Sequence, residues 1–129
     1  MTHPRPTYLL TGATGFLGRH LIGSLSAQMP GCHIVALTRG GLSDDPLEPY
    51  LEGVVGLVGD AADPSGWRDD PAVARLDGIF HLAAEVHHSR TGYERMVAFN
   101  VDATLAMVGL AAEHACRVVF ASTSEIGRA

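Results

Sequence analysis

Gly12, Gly15 and Gly18, three residues apart in TGATGFLG, stand where the apolar run at 8–10 gives way to an amphipathic segment with Phe16, Leu17, Leu21, Ile22 and Leu25. A strand that turns into a helix at such a point gathers open backbone N–H groups and the positive end of a helix dipole, which is the chemistry of pyrophosphate binding. Gly12 allows a sharp turn, Gly15 keeps a side chain out of the way of a phosphate, and Gly18 lets helix and strand pack closely. No basic side chain is required. A glycine-rich connection with no ligand is the plainer alternative, and the flanking strand and helix patterns favour the binding turn over it.

Further polar residues fall where a bound dinucleotide would need them. Arg39 follows the apolar run 33–38, at the place where an NAD-selecting site carries an Asp or Glu for the ribose 2′-hydroxyl. A guanidinium there pairs with a 2′-phosphate and stacks on adenine, which favours NADP while leaving NAD possible; a solvated loop arginine is the alternative. Asp60, in GLVGDAAD, is placed to meet the adenine amino group, or equally to begin a turn ahead of Asp63 and Pro64. In FHLAAEVHH, the small Ala83 and Ala84 would let ribose and phosphates approach the backbone. His81, His87 and His88 near Glu85 match no metal-ligand spacing such as HExxH, so no metal site is expected. His81 reads as a buried strand-end histidine and the His87–His88 pair as lining a substrate side. Asn100, among Val97, Phe99, Val101 and Leu105, either bonds a neighbouring strand and holds a relay water or lies on the surface. FASTSEIG puts Ser122, Thr123 and Ser124 at the end of the last apolar run, with one hydroxyl facing a nicotinamide; turns also favour hydroxyls, so position carries that inference.

The elements that must position these groups alternate short apolar runs with helical periodicity, the signature of an α/β fold. Strands are expected at 7–11, 33–38, 54–58, 78–82 and 117–122, and helices at 15–28, 65–75 and 92–114, with a polar surface loop over 40–53. Runs apolar on both faces suit a buried parallel sheet. Right-handed crossovers order it 3-2-1-4-5, and the crevice then opens beside Gly12, where the order reverses.

The 129 residues suffice for one domain, and an apolar share of 47% for a packed core. A net charge of -5, with nine arginines and no lysine, argues against nucleic-acid or anionic-membrane partners. No stretch is expected to reach the roughly 18 apolar residues of a membrane span, and MTHPRP has no signal-peptide character, so a cytoplasmic location is the default expectation. Cys32 and Cys116 have no CxxC spacing and read as structural free thiols.

TGATGFLG, Arg39, Asp60, HLAA at 81–84, FNVDAT at 99–104 and FASTSEIG at 120–127 resemble, in order and spacing, the extended short-chain dehydrogenase/reductase family over nearly the whole chain. LLTGATGFLG, LTRG and residues 93–104 are similar to thioester-reductase and fatty-acyl reductase domains, with NAD-dependent sugar epimerases and dehydratases almost as close. The resemblance implies a Rossmann-type doubly wound parallel sheet and an NAD(P)-binding domain over 1–129. It places Gly12, Thr14, Gly15, Phe16, Leu17 and Gly18 at the pyrophosphate, Arg39, Asp60 and Ala61 around the adenosine half, and Leu82, Ala83, Ala84 and Ser122 along the cofactor. Thr123 becomes the counterpart of the active-site Ser or Thr that bonds a substrate carbonyl or hydroxyl.

One departure limits this. The family's Tyr-x-x-x-Lys pair exchanges a proton while hydride moves, and this sequence holds no lysine, with Tyr8 in a strand, Tyr50 in a loop and Tyr93 followed four residues on by Val97. The chain is therefore expected to be the amino-terminal, cofactor-binding portion of a larger oxidoreductase or epimerase, truncated after its fifth strand and with negligible turnover alone. A non-catalytic NADP-binding module and an inactive truncated product are the alternatives. The VVFAS edge is expected to self-associate. The complete enzyme would take a small-molecule substrate, with acyl thioesters, sugar nucleotides and steroid-like ligands all open.

Overall fold

The computed structural model describes residues 5–40, 53–84 and 92–121. They form β1 (Thr7–Thr11), α1 (Phe16–Gln28), β2 (His33–Thr38), β3 (Val54–Val58), β4 (Gly78–His81), α2 (Tyr93–His114) and β5 (Arg117–Phe120). The five strands are all parallel, in the order β3-β2-β1-β4-β5. β1 therefore runs through the middle, with Thr11 registered against Leu37 on one side and His81 on the other. The expected α/β class and strand order both hold.

Period-two alternation divides the strand residues between two cores, one on each face. Leu9, Val35, Leu37, Leu57 and Ile79 pack with Trp67, Val73 and Leu76 and with the α2 residues Ala103, Met107, Leu110 and Ala111. Leu10, Ile34 and Ala36 meet Ile22 and Leu25 of α1 on the opposite face, joined by Cys32. Burial pushes the Cys32 and Cys116 thiols up, away from the reactive thiolate form, as expected of structural cysteines. α2 is capped at its carboxyl end by Ala115, whose left-handed φ of 52° lets its N–H reach back to the carbonyls of Ala111 and Ala112.

The sequence-based expectations differ from the structure in three places. The short helix expected at 65–75 is instead two 3₁₀ turns, Pro64–Gly66 and Pro71–Val73, each opened by an aspartate, Asp63 or Asp70, that accepts a backbone N–H. Pro71 has no N–H to continue a helix, and its ring excludes the preceding turn. β4 ends one residue early, at His81, and β5 runs only to Phe120 within the described residues. Finally, α2 is long and apolar enough to meet the length and composition of a membrane span, with a mean hydropathy of 1.3. The apolar stripe that raises this value includes its core-packing face.

Candidate functional site

At the carboxyl end of β1 the chain leaves the sheet through Gly12, with a φ of 75°. A Cβ at this position would lie 2.8 Å from the backbone N of Ala83 and the carbonyl carbon of Leu82, so only glycine fits the crossing with the end of β4. The buried hydroxyl of Thr11 ties the two strand ends together. Its oxygen accepts the N–H groups of Leu82 and Ala83, each at 3.1 Å, and lies 2.7 Å from Nδ1 of His81. With both lone pairs engaged, the hydroxyl proton is left to donate to Nδ1, which assigns His81 the neutral tautomer protonated on Nε2. Burial agrees, holding the imidazole below its ordinary pKa of 6.5.

α1 begins at Phe16 with Gly15 as its N-cap, in extended conformation, with no side-chain cap and no acidic residue in the first turn. A helix end of this kind presents N–H donors and dipole to an anion. Gly18 is demanded by the chain itself: a Cβ there would stand 2.2 Å from the carbonyl oxygen of Gly12. Gly15 is not, because a Cβ would meet only that same oxygen, at an ordinary 3.5 Å. The room left at Gly15 fits a group that approaches the helix end from outside.

The adenosine side is built from the ends of β2 and β3. Gly59 donates to the carbonyl of Thr38 at 2.9 Å, and its missing side chain makes room for Trp67, which a Cβ would approach to 2.4 Å. Trp67 in turn donates from Nε1 to the carbonyl of Asp60. Asp60 itself closes a turn, its Oδ1 accepting from Ala62, which is the turn role the sequence left open. Arg39 places its guanidinium carbon 4.5 Å from the ring centroid of Phe99 on α2.

These parts enclose a cleft of about 370 Å³, lined by Thr11–Thr14, residues 37–40, Gly59, Ala61, Ala83, Ala84 and Phe99. Of the residues singled out from sequence, Gly12, Thr14, Arg39, Ala61, Ala83 and Ala84 meet there. Gly15 and Gly18 shape the adjoining helix end, Leu82 packs into the α1-side core, and Asp60 stands beside the lining. Phe16 and Leu17 are exposed on the first turn of α1. Asn100 lies on the cleft end of α2, where its carbonyl accepts from Thr104. Glu85, His87, His88, Ser122, Thr123 and Ser124 lie outside the described residues, and among the described ones no three His, Cys, Asp or Glu side chains gather. Sequence reasoning passed over Thr11, whose signal is its register opposite His81, and Phe99, whose aromatic ring reads as core until Arg39 is seen over it.

The cleft offers backbone, glycine and alanine to a phosphate chain, and a cation at one end. That donor set fits a dinucleotide, and the pocket falls within the usual size of small-molecule sites.

Residues 8–127 match the NAD-dependent epimerase/dehydratase family model. The chain is 33% identical, over 98% of its length, to a hybrid PKS-NRPS synthetase, gkaA, of Penicillium citrinum, of which it spans 3%. It is 32% identical, over 67% of its length, to the L-2-aminoadipate reductase large subunit of Penicillium chrysogenum, of which it covers 8%. Among solved structures, a short-chain dehydrogenase/reductase superfamily protein from Agrobacterium tumefaciens with bound NAD superposes with a TM-score of 0.71 at 27% identity, over 93% of this chain and 33% of that one. On its strand order, its glycine crossing and the span of the family match, the chain belongs to the NAD-dependent epimerase/dehydratase family.

Proposed function

We propose that residues 1–129 form the NADP-binding part of a reductase in this family, one that acts on an acyl thioester or a related carbonyl. The observation that carries the cofactor choice is Arg39, a guanidinium lining the cleft at the end of β2. At that point a dinucleotide fold contacts the adenosine ribose, and a cation there favours a 2′-phosphate. The open start of α1 receives the pyrophosphate, the Gly12–Ala83 crossing lets the chain of phosphates lie against backbone, and the Thr11–His81 network holds that crossing in place. The bound cofactor supplies hydride. Similarity to thioester-reductase domains, and relatives named as a polyketide–peptide synthetase and an aminoadipate reductase, favour a thioester over a sugar nucleotide.

Calorimetric titration of the chain with NADP and with NAD tests the reading. Loss of a charge-assisted contact costs roughly 1.5–3 kcal/mol, so NADP should bind about ten- to a hundredfold more tightly than NAD, and Arg39→Ala should remove most of that difference. Equal affinities, or tighter NAD, would overturn it. The second outcome would favour an NAD-using epimerase or dehydratase, a reading supported by the family description and by the NAD in the Agrobacterium protein.

A further inference from the structure

Arg39 and Phe99 stand 60 positions apart in the chain, yet both line the cleft, and the guanidinium carbon sits over the phenyl ring at 4.5 Å from its centroid. The contact joins the end of β2 to the second turn of α2. Phe99 is well placed to hold its partner, because it also packs against the core cluster that contains Leu9, Leu37, Ala103 and Met107. Its ring is therefore fixed from behind. An aromatic ring attracts a guanidinium through its quadrupole, over the face of the plane, and engages none of the N–H donors that lie in that plane, so this contact positions the cation without consuming a donor.

We propose that Phe99 is a positioning residue for Arg39: anchored in the core, its ring seats the guanidinium at the rim of the cleft, in the place from which the ribose 2′-phosphate is read, and so contributes to the choice between NADP and NAD. This rests on the reading of Arg39 given above. An unseated arginine must lose side-chain freedom each time the cofactor binds, and a seated one has already lost it.

Two measurements on the 129-residue chain, with Phe99→Leu, Phe99→Trp and Arg39→Ala variants, test the proposal. Proton NMR without cofactor reads the ring-current shift on the Arg39 Cδ protons, which should be upfield in the wild type and in Phe99→Trp and revert to the random-coil position in Phe99→Leu. Calorimetry should show Phe99→Leu weakening NADP about two- to fivefold, the worth of a partly exposed cation–π contact, with NAD changed less and with recovery in Phe99→Trp. A wild-type Arg39 without the upfield shift overturns the proposal whatever the cofactor. So does a Phe99→Leu variant that loses NADP and NAD equally while Arg39→Ala still alters their ratio. If Arg39→Ala itself leaves the ratio unchanged, the NADP reading falls, and the role of Phe99 in cofactor choice falls with it.

Discussion

Gly15 and Gly18 are chemically alike and three residues apart, but only Gly18 is required by the packing of the chain itself, and alanine substitution separates the two. In Gly18→Ala the new methyl would stand 2.2 Å from the carbonyl oxygen of Gly12 and 2.8 Å from the Cα of Ala13. Both are backbone atoms of the turn between β1 and α1 and cannot rotate aside. The start of α1 must retreat by about 1 Å, and overpacking of this kind costs roughly 1–3 kcal/mol. Alanine's better helix propensity returns at most about 1 kcal/mol. We therefore expect a net loss of about 1–2 kcal/mol, or a fall in Tm of several degrees for a domain of this size. In Gly15→Ala the methyl meets only an ordinary 3.5 Å contact, and the residue's φ of -77° suits alanine. Stability should stay within about 0.5 kcal/mol of the wild type. Its methyl occupies the approach to the helix end, so NADP affinity should drop at least about tenfold, a cost near 1.4 kcal/mol. Urea unfolding followed by circular dichroism gives the first pair of values and calorimetry the second. A stable Gly18→Ala variant would refute the close-packing argument, and a Gly15→Ala variant that binds NADP normally would refute the anion site at α1.

Thr11→Val keeps the side chain's shape but strips the acceptor from the Ala83 N–H and the donor from His81; the loss of buried hydrogen bonding should cost about 1–3 kcal/mol in chemical denaturation, and a neutral result would mean the network is not formed. His81 has a folded-state pKa below 6.5, so the unfolded chain takes up its proton first: this stabilising contribution is complete above pH 6.5 and is lost as the pH falls through the folded value. Unfolding free energy should therefore fall from pH 7 to pH 5 more steeply in the wild type than in His81→Gln, and parallel profiles would remove His81 from the cause. Val119 is half exposed on β5, the outer strand of the sheet among the described residues; if that edge pairs between copies of the chain, Val119→Lys should lower the self-associated fraction in sedimentation at fixed concentration, and an unchanged fraction, or none to begin with, would refute it.

The sheet was legible in the sequence because strand residues 33–38 and 54–58 are apolar on both faces and bounded by glycine or polar residues, and right-handed crossovers leave few orders open. Residues 65–75 misled because two Asp-Pro steps carry caps and helix-starting prolines without enough residues between them for a helix. At the site, Gly12, Arg39 and Ala83 were legible from their places at strand ends. Phe99 was not, since a helical phenylalanine among Val97, Val101 and Leu105 has the pattern of any buried stripe, and only the fold brings it to Arg39. The close packing at Gly18 was foreseen in kind, but the distances that make Gly18 indispensable and leave room at Gly15 belong to the tertiary structure alone.

The cleft is walled by four strand ends that follow residues 11, 38, 58 and 81, with Phe99 closing it from a fifth region of the chain. An occupant would clasp segments that the backbone joins only through long detours. Ligand that binds the native state alone adds stability by mass action, about 2.7 kcal/mol at a hundredfold excess over its Kd. Because every wall must be in place for the clasp to form, that gain would fall on the opening of the whole sheet, and hydrogen exchange would slow together in β1, β2, β3 and β4. In a cell, the persistence of this fold would then follow the local supply of its own nucleotide.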